Sequence, residues 1–346
     1  MNIEFDPETN DGPGIFGLRF TPEEAETVLI PVPWDATASY HPGTARGPEA
    51  ILAASSQIDL EDLDVGRPDE AGIALLPHPA ALAAAGAEAR RLAEPVLAAL
   101  GPGDSPALLQ AAEAVNAACA SMNDHVHAAA VRWIDRGRLV GVVGGDHSTP
   151  FGLIRALAER RPGFGVLQLD AHADLRPAYE GFTWSHASIM HNVLERLPGV
   201  SRLVQIGVRD LGRGERQCIE AAPERIRTFY DPALRRRLHA GEPWRRILNE
   251  VVDALPDAVY LSFDIDGLDP SLCPHTGTPV PGGLSFPEVV SLLRAVVAGG
   301  RRIVGFDLCE TAPDPSGATD WDANVAMRLL YKMIGFALRS RTPRRA

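Results

Sequence analysis

The stretch FGVLQLDAHAD (residues 164–174) decides the fold, because an uncharged, mostly apolar run ends directly in a cluster of polar side chains. Such a run is typical of a strand buried in a parallel sheet with both faces covered. In an extended chain, residues i, i+2 and i+4 share one face. Asp170, His172 and Asp174 are therefore expected to project together from the carboxyl end of this strand.

Two further strand ends in the chain carry the same kind of side chain. His147 follows the apolar run 139–143 in GGDHS, and Asp264 and Asp266 follow the run 259–263. Carboxylate and imidazole ligands suit first-row divalent metals. Six ligands exceed the needs of one tetrahedral ion and suit a pair that shares carboxylates. Alone, the pair Asp264 and Asp266 would be better interpreted as a polar turn, and His147 as a hydrogen-bonded loop histidine, but three such segments in one chain favour a metal site.

The rest of the chain alternates between apolar runs and helical patterns. The predicted strands cover residues 27–32, 72–76, 139–143, 164–169, 203–207, 225–229, 259–263 and 302–306. The predicted helices cover residues 48–55, 80–100, 122–136, 151–160, 188–197, 214–221, 244–254, 287–297 and 322–338. This alternation predicts a three-layer α/β/α sandwich with a central, mostly parallel, doubly wound sheet. Ligands bind at the carboxyl ends of strands in such sheets, where all three motifs lie.

No linker separates the motifs, so we expect one large domain over residues 27–339. Residues 1–26, which are acidic and rich in glycine and proline, are expected to form an N-terminal arm. Residues 340–346 (SRTPRRA) are expected to form a frayed basic tail.

The charge balance indicates which binding partners the protein can have, and the cysteines indicate the cellular compartment in which it works. The net charge is −12 and the pI is ≈ 5.3, which argues against nucleic acid or an anionic membrane as a partner. A cationic substrate is compatible with this charge, although its diffuse distribution is better interpreted as an aid to solubility. None of the four cysteines forms a C-x-x-C pair. We expect reduced cysteines, no leader peptide, no membrane span and a cytoplasmic protein.

The motifs GGDHS, DAHAD and SFDIDGLDP resemble the three signature blocks of the ureohydrolases, the arginase and agmatinase superfamily. The resemblance extends from about residue 31 (PVPWDATASYHPGTARGP) to about residue 338, through GTPVPGGL and DLCE. It implies an arginase-like fold and a dinuclear metal hydrolase that cleaves a guanidino C–N bond and releases urea. An amide hydrolase of the deacetylase type and a non-catalytic metal-binding homologue are the alternatives. The complete ligand set disfavours both.

The resemblance also assigns roles to individual residues. It implies one metal on His147, Asp170, Asp174 and Asp264 and a second on Asp170, His172, Asp264 and Asp266. It implies that His186, in SHAS, shuttles a proton to the leaving amine. It implies that Glu310 accepts two parallel N–H groups of the guanidinium. Without the resemblance, His186 would be interpreted as a helix-start histidine and Glu310 as a surface residue.

The substrate is the least determined part of the prediction. The segment LRPAYEGFTWSHAS, which follows DAHAD, resembles the agmatinases, and this resemblance implies manganese as the metal. The stretch that begins PVPWDATASYHPGTARGP and the segments SHASIMHNV and WDANV resemble the free-guanidine hydrolases, and this resemblance implies nickel. Trp184 and Trp321 are expected to narrow the pocket and stack on a small cation, and His275 is expected to lie on a pocket loop. Free guanidine and agmatine are the leading substrates, guanidino acids follow, and the resemblance implies a homo-oligomer, a trimer or hexamer.

Overall fold

Eight parallel strands form one sheet at the centre of the computed structural model, which describes residues 12–341. Neighbouring strands follow the order β2-β1-β3-β8-β7-β4-β5-β6. Every pairing among these described strands is parallel. The strands are β1 (Thr27–Val32), β2 (Ile73–Leu75), β3 (Leu139–Gly144), β4 (Phe164–Leu169), β5 (Val200–Ile206), β6 (Ile226–Phe229), β7 (Ala258–Asp264) and β8 (Arg302–Cys309).

Helices cover both faces of the sheet. They are α1 (Gly47–Ser55), α2 (Ala80–Ala98), α3 (Pro106–Ile134), α4 (Phe151–Arg160), α5 (Ile189–Arg196), α6 (Arg213–Ala221), α7 (Asp231–His239), α8 (Trp244–Asp253), α9 (Phe286–Ala298) and α10 (Trp321–Arg341). Alternate strand residues pack against opposite layers, as the period of two requires. In β4, Phe164 and Val166 pack with α2–α6, whereas Leu167 and Leu169 pack with α1 and α7–α10. The predicted three-layer, doubly wound sandwich is confirmed.

All eight predicted strands are present within a few residues of their expected bounds, but two helical regions differ from the prediction. α3 begins at Pro106, whereas the prediction began at residue 122. Ser105 caps its start by accepting a hydrogen bond from Leu108 N. α7 was not predicted, because it buries only Asp231 and Leu234 and so shows little apolar periodicity.

The described part of the N-terminal arm, residues 12–26, packs onto the domain. Ile15 and Phe16 are fully buried, and the Phe16 ring lies 5.0 Å from the Tyr331 ring in α10. At the other end, residues 340 and 341 belong to α10, and Ser340 Oγ accepts a hydrogen bond from Ile303 N. Residues 1–11 and 342–346, which complete the predicted arm and tail, lie outside the described residues.

The strand order brings the polar motifs together. β3, β8, β7 and β4 are adjacent, so their carboxyl ends meet at one edge of the sheet. The turn after β3 passes very close to the end of β1, because a Cβ at Gly145 would lie 1.9 Å from Trp34 O. Glycine is therefore required there for the GGDHS segment to reach the edge. Within the described residues, no helix has both the length and the apolarity to span a bilayer.

Candidate metal centre and substrate cavity

A first cluster of ligand atoms lies at the ends of β3 and β4. His147 Nδ1 lies 2.9 Å from Asp174 Oδ2 and 3.0 Å from Asp170 Oδ2. The other ring nitrogen, Nε2, lies 2.9 Å from Ser262 Oγ, which fixes the orientation of the imidazole. All three side chains are buried. The ligand atoms are close enough together to hold one metal ion.

A second cluster shares Asp170 with the first. His172 Nδ1 lies 3.0 Å from Asp266 Oδ2 and 3.6 Å from Asp170 Oδ1. The His172 side chain is 24% exposed, whereas that of His147 is 1% exposed. The two oxygens of Asp170 therefore face different clusters, and the second cluster contains the more exposed histidine.

The sixth predicted ligand, Asp264, lies beside both clusters. Its Oδ2 is 3.5 Å from His147 Nδ1, and its Oδ1 accepts a hydrogen bond from Asp266 N. Burial and the neighbouring charges of Asp266 and Asp170 raise the pKa of Asp264 well above its usual value. The structure thus brings all six predicted ligands to one place.

The raised pKa values of Asp174 and Asp264 show that these two carboxylates lack sufficient positive charge nearby, whereas burial of Asp170 is outweighed by hydrogen bonds from His147 and His172, which lower its pKa. Burial and the nearby Asp170 raise the pKa of Asp174 to about 8. Burial alone would lower the pKa of His172, but Asp266 and Asp170 outweigh it and raise that pKa to about 12. Divalent cations would supply the missing charge and displace these protons. The donor set therefore fits a pair of first-row divalent ions.

Two residues of the site hold a backbone conformation that is unusual for a side-chain-bearing residue. Asp174 has φ 55° and Glu310 has φ 62°. Such conformations cost roughly 1–3 kcal/mol each and persist where the surroundings enforce them. Glu310 N donates to Gly145 O, and the Asp174 carbonyl accepts from Met190 N and His191 N. The backbone around the site thus holds both carboxylates in strained but fixed positions.

Glu310 lies at the bottom of a narrow cleft. Its Oε1 accepts a hydrogen bond from His147 N at 3.0 Å. A Cβ at Gly277 would lie 3.0 Å from Oε2, so glycine keeps this oxygen accessible from the cleft. Burial and the nearby Asp146 raise the pKa of Glu310 well above its usual value. A planar cation in the cleft would restore the ionised form of this carboxylate.

His186 lines the same cleft and also the main cavity. Its Nδ1 lies 3.4 Å from Ser185 Oγ. Burial, followed by the charges of His172 and His147, lowers the pKa of His186 to about 3. The imidazole is therefore neutral at pH 7.

The main cavity has a volume of about 230 Å³ and adjoins the narrow cleft through Ser39, Tyr40, His186 and Thr278. Its lining contains His172 and Asp174 from the clusters, together with groups that the sequence analysis did not select: Arg176, Tyr179, Asp210 and Glu215. Sequence patterns could not select these residues, because they meet only after the loops that follow β4 and β5 have folded together. Tyr40, which is 67% exposed, forms part of the rim.

The two tryptophans expected in the pocket lie elsewhere in the single chain. Trp184 packs edge-on against Phe151, with the guanidinium of Arg196 4.7 Å from its ring. Trp321 is 45% exposed, and its indole N–H donates to Ser271 O. Neither lines the main cavity or the cleft. The expectation that they narrow the pocket is corrected, because each already has packing or hydrogen-bond partners of its own.

His275 also lies outside the lining of both cavities. Its Nδ1 lies 2.8 Å from Asp322 Oδ2, and its backbone N–H donates to Asp322 Oδ1. The pair ties the loop after β7 to the first turn of α10. The neighbouring Thr276 then donates from Oγ1 to Glu310 O. His275 thus supports the loop that forms the wall of the cleft.

A family model matches most of the chain. The model described as the arginase family matches residues 25–335. The chain belongs to the arginase family. The resemblance read from the three motifs is confirmed, and so is the enzyme class, a hydrolase acting on C–N bonds of linear amidines.

Individual relatives cover nearly the whole chain. An N(1)-aminopropylagmatine ureohydrolase of Thermus thermophilus is 37% identical over 325 residues, which are 93% of this chain and 94% of that protein. A proclavaminate amidinohydrolase of Streptomyces clavuligerus is 31% identical, covering 90% of this chain and 89% of that protein. The crystal structure of an agmatine ureohydrolase of Thermoplasma volcanium superposes with a TM-score of 0.71. It is 23% identical and covers 94% of each chain, which shows the shared fold.

Proposed function

We propose that this member of the arginase family hydrolyses a linear guanidino compound with a cationic tail, such as agmatine or an aminoalkyl agmatine. One observation carries the proposal: two ligand clusters share Asp170 and open through His172 into a cavity that also contains His186. The adjoining cleft contains Glu310. Metal ligands, a neutral base and a guanidinium acceptor are thereby brought to one place.

The residues of the chain divide the work as follows. His147, Asp170, His172, Asp174, Asp264 and Asp266 would hold two divalent ions. Such a pair lowers the pKa of a shared water and so supplies hydroxide near neutral pH. Glu310 accepts N–H groups of the guanidinium and fixes its plane in the cleft. His186 would accept the proton that the attacking water gives up and deliver it to the amine that leaves.

The cavity favours a substrate with a tail over free guanidine. The cleft beside Glu310 has a volume of only about 10 Å³, so most of a guanidinium, together with any tail, would lie in the adjoining main cavity of about 230 Å³. That cavity is larger than a guanidinium alone requires. Asp210 lines that cavity, is exposed, and has no hydrogen bond or ion pair from its carboxylate among the described residues. The charge of Arg176 is engaged by Glu215, because its Nε lies 3.3 Å from Glu215 Oε2. We therefore assign the tail ammonium to Asp210. The name of the Thermus relative, an N(1)-aminopropylagmatine ureohydrolase, is consistent with a cationic tail.

Urea release by metal-loaded protein tests this assignment. We expect agmatine and aminopropylagmatine to exceed both guanidinobutyrate and free guanidine in kcat/KM. Asp210→Asn should reduce kcat/KM for agmatine by about 10-fold, because a charge-assisted contact to the tail is lost, and leave free guanidine unchanged. Asp257→Asn, at the opposite edge of the sheet and 98% exposed, is the matched control. If free guanidine is the best substrate of the wild type, the proposed cationic tail is wrong and the protein is a hydrolase of free guanidine.

The proposal extends to the metal, the assembly and the compartment. Carboxylate and imidazole ligands suit both Mn²⁺ and Ni²⁺, and loading metal-free protein with each ion in turn decides between them by urea release. The cysteines Cys119, Cys218, Cys273 and Cys309 are free, which supports a reducing, cytoplasmic location. The proposed homo-oligomer, a trimer or hexamer, is tested by light scattering on purified protein.

A further inference from the structure

A row of polar side chains crosses the interior of the sheet beside the first ligand cluster. Gln168 of β4 pairs in register with Gln205 of β5, which pairs with Thr228 of β6. Gln168 and Gln205 are completely buried. Buried amides are costly unless they are hydrogen-bonded, so two adjacent glutamines inside an apolar layer require an explanation.

The hydrogen bonds of this row run in one direction. Thr228 Oγ1 donates to Gln205 Oε1 at 2.7 Å, and Gln205 Nε2 donates to Gln168 Oε1 at 2.6 Å. Gln205 Nε2 also donates to Ala173 O. Gln168 Nε2 then donates to Asp170 Oδ2 at 2.7 Å. An ionised carboxylate only accepts hydrogen bonds, so the amide of Gln168 must present its N–H to Asp170, and the orientation of Gln205 follows from that.

The row ends on the carboxylate that the two clusters share. Asp170 Oδ2 accepts from Gln168 and faces His147, whereas Oδ1 accepts from His172 N at 2.6 Å and faces the second cluster. With one donor on each oxygen, the carboxylate plane cannot rotate without breaking a hydrogen bond. Successive hydrogen bonds also polarise one another, which strengthens the last one.

We propose that Gln168, held in place by Gln205 and Thr228, is a positioning residue that locks the Asp170 carboxylate with one oxygen towards each ligand cluster. The inference rests on the metal-binding role proposed for Asp170. Gln168 does not itself touch the cavity; it acts through Asp170. Loss of the lock lets the carboxylate turn, so that at least one of the two ions is held more weakly. Partners of metal ligands typically change affinity by about 10–100-fold.

Manganese titration of metal-free protein against a competing chelator tests the proposal without an activity assay. Gln168→Met has nearly the same volume and no N–H donor. We expect it to keep the fold by circular dichroism, to lose about 10–100-fold in affinity for at least one ion, and to weaken the magnetic coupling of the manganese pair in electron paramagnetic resonance. Thr228→Val, at the far end of the row, should give a smaller loss in the same direction.

A double variant keeps the proposal testable if Gln168→Met alone does not fold. Gln168→Met combined with Gln205→Leu removes the orphaned amide, so it should fold and show the same loss of affinity as Gln168→Met alone. Unchanged affinities and coupling in either folded variant would overturn the proposal. Wild-type protein that binds no manganese pair would instead overturn the proposed function, so the two failures are distinguishable.

Discussion

The two ligand clusters share one carboxylate but differ in their surroundings. The cluster of His147, Asp170 and Asp174 is buried, and Ser262 holds the second ring nitrogen of its histidine. The cluster of Asp170, His172 and Asp266 opens into the cavity through a histidine that is 24% exposed. Asp174 of the first cluster also lines the cavity but is only 4% exposed, so access is greater on the half that contains His172. Substrate chemistry belongs on the open half, and Asp170 connects the halves.

The largest effect is expected at the residue that belongs to both clusters. Asp170→Asn removes the one negative charge that the two halves share, so both ions should be held weakly and turnover should fall by about 1000-fold or more. Metal analysis after dialysis, together with urea release, measures the change. Full occupancy of both sites in the variant would separate Asp170 from the role of a shared ligand.

A variant of Glu310 distinguishes substrate binding from metal binding, because the proposed partner of Glu310 is the substrate and not a metal ion. Glu310→Gln keeps the size of the side chain but removes the charge that orients the guanidinium. We expect turnover to fall by about 100–1000-fold with metal content unchanged. Steady-state kinetics and metal analysis on the same sample test this. Normal turnover in the variant would remove Glu310 from substrate binding.

The pH dependence of the thermal stability of the metal-free protein tests how strongly the two ligand clusters depend on bound cations. Asp174, with a pKa of about 8, and His172, with a pKa of about 12, hold more protons in the folded chain than in the unfolded chain above pH 6.5. The stability from a raised pKa is complete below the unfolded value and is lost as the pH rises through the folded value. His186, whose pKa is lowered to about 3, contributes with the opposite sign while the unfolded imidazole loses its proton around pH 6.5, and its contribution is constant at higher pH.

The metal-free protein should therefore lose thermal stability between pH 6.5 and pH 9. Bound ions replace the protons, so the gain in Tm on adding Mn²⁺ should widen over this range by at least about 4 °C. Differential scanning calorimetry with and without Mn²⁺ measures it. A gain in Tm that narrows with rising pH would contradict the electrostatics described for the clusters.

The smallest effect is expected outside both clusters. Trp321 contacts Ser271 O and lies outside the cavity lining. Trp321→Ala should therefore change kcat/KM for agmatine and for free guanidine by less than about twofold, since the substrate meets neither the indole nor its hydrogen bond. Kinetics on both substrates check this. A shift in preference towards long substrates would show that the indole reaches the site, for example in an assembly.

The sequence predicted the strands and the ligands for the same physical reason. Buried parallel strands have uncharged, mostly apolar sequences, and the polar ligands follow directly at their carboxyl ends, as in residues 164–174. The helix α7 escaped prediction because only Asp231 and Leu234 of its side chains are buried, which leaves little apolar periodicity. Its existence depends on packing that a local pattern does not contain.

The remaining features depend on which strands become neighbours. Gln168 and Gln205 read as ordinary strand residues until the pairing of β4 with β5 aligns them. Asp210 reads as a loop carboxylate until a backbone bridge places it beside His172 at the cavity. The tryptophans were misplaced because composition shows that an aromatic ring is present but not which neighbours it packs against.

Anomalous X-ray scattering at the manganese edge, on crystals of the metal-loaded protein, tests the central claim most directly. A pair of ions that shares Asp170 predicts two peaks per chain, one beside His147 and Asp174 and one beside His172 and Asp266, with one oxygen of Asp170 directed at each. A single peak in fully active crystals, or two peaks with Asp170 bound to only one of them, would contradict it.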